Sequence, residues 1–236
     1  MPEADNTPAQ HSSPILPQLI ILTVFWFGLQ LVASWVKPGF SHMSQYISEI
    51  NATGTQAAGV LGWVGFIPLG MIAAGLLLTV RPHIRVKGVS QFGWSLLFFY
   101  PLAYIGSALA PCDTGCPVDG SSSQAIHNGI AVISYFGFAL GALLLALTPK
   151  TTWPVRAAFV LLAFIVALGF LLMTSPELAE IRGAVQRYVE VAQLIVFWLL
   201  LWLKDSQANG GQTTGAQHEE ICSVKHSGNE LWIVRW

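Results

Sequence analysis

Six long apolar stretches, at about 15–36, 57–80, 90–110, 127–147, 155–174 and 186–203, leave this chain few ways to fold. A helix that crosses about 30 Å of hydrocarbon needs roughly 20 mostly apolar residues, and each stretch meets or nearly meets that length. Lipid offers no water to backbone N–H and C=O groups, so each span must satisfy its own as a helix. Only 10% of the 236 residues are charged, against roughly 25% in a soluble domain. That is too little polar surface for six buried helices of a soluble protein. The expectation is an all-α polytopic membrane protein, six transmembrane helices in one bundle over residues 15–204, with the lipid bilayer as its first partner. The net charge of −1 leaves no electrostatic footprint for nucleic acid.

The flanks differ from the spans. Residues 1–14 are polar and rich in turn formers, without the basic start of a secretory signal, so the first span reads as retained. From 205 to 236 the composition is that of a flexible tail, apart from an apolar finish at Leu231–Trp236. Basic residues set the orientation. Arg81, Arg85, Lys87, Lys150, Arg156 and Lys204 fall on one side, and Lys37, Arg182 and Arg187 on the other. Both termini are therefore expected in the cytoplasm, with the protein in the cell membrane. Trp35, Trp94, Trp153 and Trp202 lie near span ends, where aromatic rings anchor at the interface. Pro68 and Pro101 should kink the second and third spans, while Gly137 and Gly141, with Gly59, Gly62, Gly65 and Gly70, suggest close helix packing.

Three places carry polar chemistry, and the expected topology puts all of them on the outer side. The first is Ser41-His42-Met43-Ser44-Gln45-Tyr46-Ile47-Ser48-Glu49. If helical, Ser41, Ser44 and Ser48 share a face beside Glu49. Asn51-Ala52-Thr53 after it fits a glycosylation acceptor. The second is Pro111-Cys112-Asp113-Thr114-Gly115-Cys116-Pro117, with His127 after it. Cys112 and Cys116 suit a structural disulfide in an oxidising compartment; a redox pair or two metal ligands are the alternatives, CxxxC being a weak signal. Asp113 either orients His127 for proton transfer or serves the turn before Gly115, and His127 otherwise bonds a loop carbonyl. The third is Gln186, Arg187, Glu190 and Gln193, a polar stripe at helical spacing in which Arg187 and Glu190 can pair. Tyr100, Tyr104 and Ser107 descend toward the same loops.

Together these pieces resemble the bacterial and archaeal membrane family called domain of unknown function 998. The matching residues are Ser44 with Ile47-Ser48-Glu49, then Pro111-Cys112-Asp113, then His127, and finally Gln186-Arg187. Asn51 stands where that family's first motif continues with glycine. The resemblance spans about 15–204 and implies a six-helix bundle; it implies no activity.

The functional expectation is an outward-facing polar pocket formed by Ser44, Ser48, Glu49, Asp113, His127, Arg187 and Glu190. It would bind, sense or move a small polar or lipid-headgroup ligand, with Arg187 holding an anionic group. No cofactor and no metal are expected. One rival is a membrane-embedded hydrolase with Ser44 as nucleophile, His127 as base and Asp113 as orienter, although no GxSxG elbow is present. Another is a structural subunit that docks a partner helix.

Overall fold

The computed structural model describes residues 14–222, with side chains through Gln207. The polar lead-in and the apolar finish at Leu231–Trp236 lie outside the described residues. Six helices are long and apolar enough to cross a membrane. They are α1 (Ile15–Val36), α2 (Ala58–His83), α3 (Val89–Leu109), α4 (Ser122–Leu145), α5 (Trp153–Met173) and α6, whose apolar part is Arg182–Gln207. No strand occurs among the described residues. Helix α6 continues to Cys222, into the stretch whose composition reads as a tail.

Each helix packs against its neighbours in the chain, and α6 closes back onto α1, giving a ring of antiparallel helices. The core it encloses is aromatic: Trp26, Phe66, Tyr100, Phe138, Phe159 and Phe197 are fully buried. The outer faces are apolar too, with Val24, Leu31, Leu78 and Phe164 each more than 60% exposed. A surface of that kind is stable against hydrocarbon and not against water. Trp35, Trp153 and Trp202 are exposed near span ends, whereas Trp94 is 4% exposed and belongs to the core rather than to an interfacial belt.

Both interior prolines deform their helices, each through the backbone N–H it lacks. Ahead of Pro68, residues Gly62–Phe66 form a π turn in which the Ile67 N–H donates to the Gly62 carbonyl, five residues back. Pro101 cannot serve the Leu97 carbonyl, which instead accepts from the Tyr100 N–H at 3.1 Å, and α3 is interrupted at Leu97–Phe98. The glycine signal is selective. Gly59 has open space around it, whereas a Cβ on Gly93 would come within 2.9 Å of the Gly141 carbonyl oxygen, and one on Gly141 within 2.8 Å of the Gly93 oxygen. The backbones of α3 and α4 touch there. Gly93→Ala should therefore destabilise the bundle by about 1–3 kcal/mol through overpacking, while Gly59→Ala should be neutral; thermal melts of the two purified variants make the comparison.

The connections 37–57, 110–121 and 174–181 meet at one end of the ring, called here the disulfide end. The Thr53 N–H donates to the Cys112 carbonyl at 2.8 Å, and the Ala184 N–H to the Met43 carbonyl at 2.9 Å. At the other end, Gln207 ties α6 to the backbone of Arg85 and to the Pro149 carbonyl.

Candidate functional site

The disulfide end is built from loops pinned to helix ends. Residues 41–46 form turns, and only Ile47–Asn51 is helical, as a 3-10 turn. The expected serine face therefore does not form, and Ser44 is engaged through its backbone: its carbonyl accepts from Arg182 Nε at 3.0 Å. Lys37 closes the base of this loop. Its Nζ is buried and donates to the carbonyls of Glu49 (2.6 Å) and Ile50 (3.1 Å) and to Thr55 Oγ1 (2.7 Å). Burial holds its ammonium below the usual lysine range, against the pull of Glu49. Asn51 is buried, and its Nδ2 donates to the Ser107 carbonyl at 2.7 Å, so it is a packing residue and not an accessible glycan acceptor.

Cys112 and Cys116 form a disulfide. The turn between them uses Gly115 at φ +82°, a conformation glycine adopts without strain. Asp113 does not face His127. Its carboxylate accepts from the Ser121 N–H (2.8 Å) and hydroxyl (2.9 Å), while Ser121 caps α4 through the Gln124 N–H. His127 instead places Nδ1 3.0 Å from the Ala110 carbonyl. A ring nitrogen of His127 and the two sulfurs lie within 4.8 Å of one another, but sulfurs joined to each other are not thiolate ligands. Reducing the bridge should cost about 2 kcal/mol on the chain-entropy model; a lower melting temperature in dithiothreitol, absent from the Cys112→Ser/Cys116→Ser variant, reports it.

Between α3, α4, α5 and α6 lies a cavity of about 650 Å³. It runs from loop residues such as Val118 and Pro176 down to Glu190. Helical spacing lines it. His127, Ala131 and Tyr135 descend one face of α4, and Arg182, Gln186 and Glu190 one face of α6, at steps of four. Ser48, Tyr104, Ser107, Asn128 and Thr174 add to the polar lining, and Phe66 and Phe170 are among the apolar walls. Of the residues expected to share a pocket, Ser48, His127 and Glu190 line this cavity; Ser44, Glu49, Asp113 and Arg187 do not. Among the described residues, no hydrogen bond links Ser44, His127 and Asp113 into a catalytic relay.

The two charges of the polar stripe on α6 go separate ways. Arg187 and Glu190 do not pair: Arg187 Nη1 donates to the carbonyls of His42 (2.9 Å), Gln45 (2.9 Å) and Gly183 (2.8 Å). It thus holds the first loop against α6 rather than presenting a cation to the cavity. The cation that lines the cavity is Arg182, one four-residue step before Gln186 and outside the stripe expected from the sequence. It lies over the Tyr46 ring at 4.5 Å and reaches Glu49 at 3.4 Å and the Gly115 carbonyl at 3.3 Å. Glu190, 5% exposed, accepts from the hydroxyls of Tyr104 (2.8 Å) and Tyr135 (2.6 Å). Tyr104 in turn accepts from Trp26 Nε1 at 2.8 Å, and Tyr135 from Gln186 Nε2 at 3.0 Å. Trp26 and Tyr135 look like ordinary span residues in the sequence; only the four-residue step from His127 through Ala131 hints at Tyr135.

A ring of six apolar helices, each long enough to cross a membrane, defines a multi-pass membrane protein. The chain belongs to the family described as "Protein of unknown function (DUF998)", whose model matches residues 20–203. No curated protein matches it, and no solved structure does.

Proposed function

We propose that the cavity at the disulfide end is a binding site through which the protein binds, senses or moves a small polar ligand or a lipid headgroup. The supporting observation is the cavity itself. Its volume of about 650 Å³ falls within the roughly 300–1,000 Å³ of ligand pockets, and it combines mostly apolar walls with a few convergent polar groups, as such pockets do. Its polar floor at Glu190 and its aromatic and aliphatic walls suit an amphiphile, polar end inward. The excess of basic residues at the opposite end and the disulfide, which persists in oxidising compartments, favour a non-cytoplasmic opening, with both termini in the cytoplasm of a cell-membrane protein.

Ala131 lies partway down the cavity wall. Ala131→Trp should fill the space and reduce bound ligand at least tenfold while the bundle still folds. Mass spectrometry of the lipids and metabolites that co-purify with wild type and variant measures this. Identical sets of bound molecules would refute the reading.

A further inference from the structure

Resting on that reading of the cavity, we infer that its floor is a subsite for a cationic ammonium group, held by Glu190 among Tyr104, Tyr135, Phe66 and Phe170. The argument starts from the direction of each hydrogen bond. The indole of Trp26 is a donor only, so at 2.8 Å it fills an acceptor position of the Tyr104 hydroxyl. The hydroxyl proton of Tyr104 is then left for Glu190 Oε2, 2.8 Å away. The second arm is fixed from the backbone. The N–H of Ile47 donates to Gln186 Oε1 at 2.5 Å, which turns the amide nitrogen of Gln186 toward Tyr135, 3.0 Å away. Tyr135 accepts from it and gives its own proton to Glu190 Oε1 at 2.6 Å.

Both carboxyl oxygens are therefore acceptors, and each hydroxyl that faces them already receives a proton from elsewhere. A neutral carboxylic acid would have to point its proton into the cavity, or donate it to one of those hydroxyls and displace an existing bond. The wiring suits the carboxylate. A buried carboxylate is costly unless a positive charge balances it. Among the described residues the one ion pair joins Arg182 to Glu49; Arg187, whose Nη1 serves three carbonyls and whose Nε and Nη2 have no partner, acts on Glu190 only from beyond ion-pair distance. The protein thus supplies hydrogen bonds to Glu190 and no salt bridge.

The walls around this anion are those a cation prefers. Tyr135 stacks on Phe170 with centroids 5.1 Å apart, and Phe66 lies 5.6 Å from Tyr104. All four rings line the cavity that reaches Glu190. Aromatic faces attract ammonium groups, and desolvation strengthens the attraction. Each carboxylate oxygen has a second lone pair for the N–H of a primary amine. The cavity lies beside the loops, and about 12 Å of helix, at 1.5 Å per residue, separates Arg182 from Glu190. The ammonium group arrives either on a free amine or as the headgroup of an amphiphile.

The test uses the purified full chain in detergent. Calorimetric titration compares choline and ethanolamine with 3,3-dimethylbutan-1-ol, the neutral isostere of choline. At least one cation should bind wild type ten times more tightly than the alcohol, and Glu190→Gln should abolish that preference. In parallel, melting temperatures are compared in nanodiscs of phosphatidylethanolamine and of phosphatidylglycerol. Stabilisation by the ethanolamine lipid alone, lost in Glu190→Gln, identifies a lipid-borne ammonium; binding of the soluble amines identifies a free one. If Glu190→Gln does not fold, the comparison of cations with the alcohol, and of the two lipids, on wild type decides. Equal binding of cation and alcohol, a preference that survives in Glu190→Gln, or no response to either amine or to the ethanolamine lipid overturns the ammonium subsite. The cavity reading falls separately, when Ala131→Trp leaves the co-purifying molecules unchanged.

Discussion

Arg187→Ala should destabilise the bundle by about 3–5 kcal/mol, because one terminal nitrogen of this side chain holds together two segments that have no covalent reason to meet. Its Nη1 donates to the carbonyls of His42 and Gln45 in the first loop and to the Gly183 carbonyl on α6. Hydrogen bonds from a charged donor contribute about 1.5–3 kcal/mol each, and a buried acceptor left without a partner adds its own desolvation cost. The contributions are not additive, since the three carbonyls share one donor group. The guanidinium also lies 5.7 Å above the Phe40 ring, so the loss includes packing. Arg187→Lys should recover only part of the loss, a point charge being a poor substitute for a planar fork. Thermal unfolding of both variants in detergent is the measurement. A large loss of ligand binding by Arg187→Ala at unchanged melting temperature would contradict this assignment and restore Arg187 as a ligand-binding cation.

The second large effect is expected at the tyrosines around Glu190. Tyr135→Phe leaves a carboxylate oxygen of Glu190 and the Gln186 amide without the hydroxyl that serves both. Tyr104→Phe does the same to the other oxygen and to the Trp26 indole. Each should cost about 2–3 kcal/mol, the upper range for hydrogen bonds to a charged group. Because both act on one carboxylate, the double variant should depart from the sum of the singles by at least about 0.5 kcal/mol. Glu190→Leu in the Tyr104→Phe/Tyr135→Phe background should then recover stability, since an apolar core of similar volume is often better than a half-satisfied buried charge. Melting temperatures around this cycle provide the check. Strict additivity, or further loss in the triple variant, would mean that the three groups do not act as one network.

The loops and the cavity respond to different substitutions, and this separates architecture from ligand chemistry. Lys37, Arg187, Asp113 and Asn51 each direct a polar group to loop or helix backbone, or to the residue that caps α4. Glu190, Gln186, His127 and Arg182 line the cavity. Ligand affinity should therefore follow the second set, and folding the first.

By itself the sequence determined that this is a bundle of six membrane-crossing helices, because span length and the lack of charge are local properties that lipid enforces one helix at a time. It also located the distortions at Pro68 and Pro101, since a missing N–H acts within its own helix, and it marked Cys112 and Cys116 as a pair because they are four residues apart. Tertiary structure alone decided the partners of the polar residues. Arg187 and Glu190 are one turn apart and chemically suited to each other, yet one meets the carbonyls of a loop more than 140 residues earlier and the other meets tyrosines on α3 and α4. Asp113 and His127 are separated in the same way, by a helix cap and a loop carbonyl. Periodicity states which side of its own helix a group occupies; which helix faces that side depends on how the ring closes, and no local pattern carries that information.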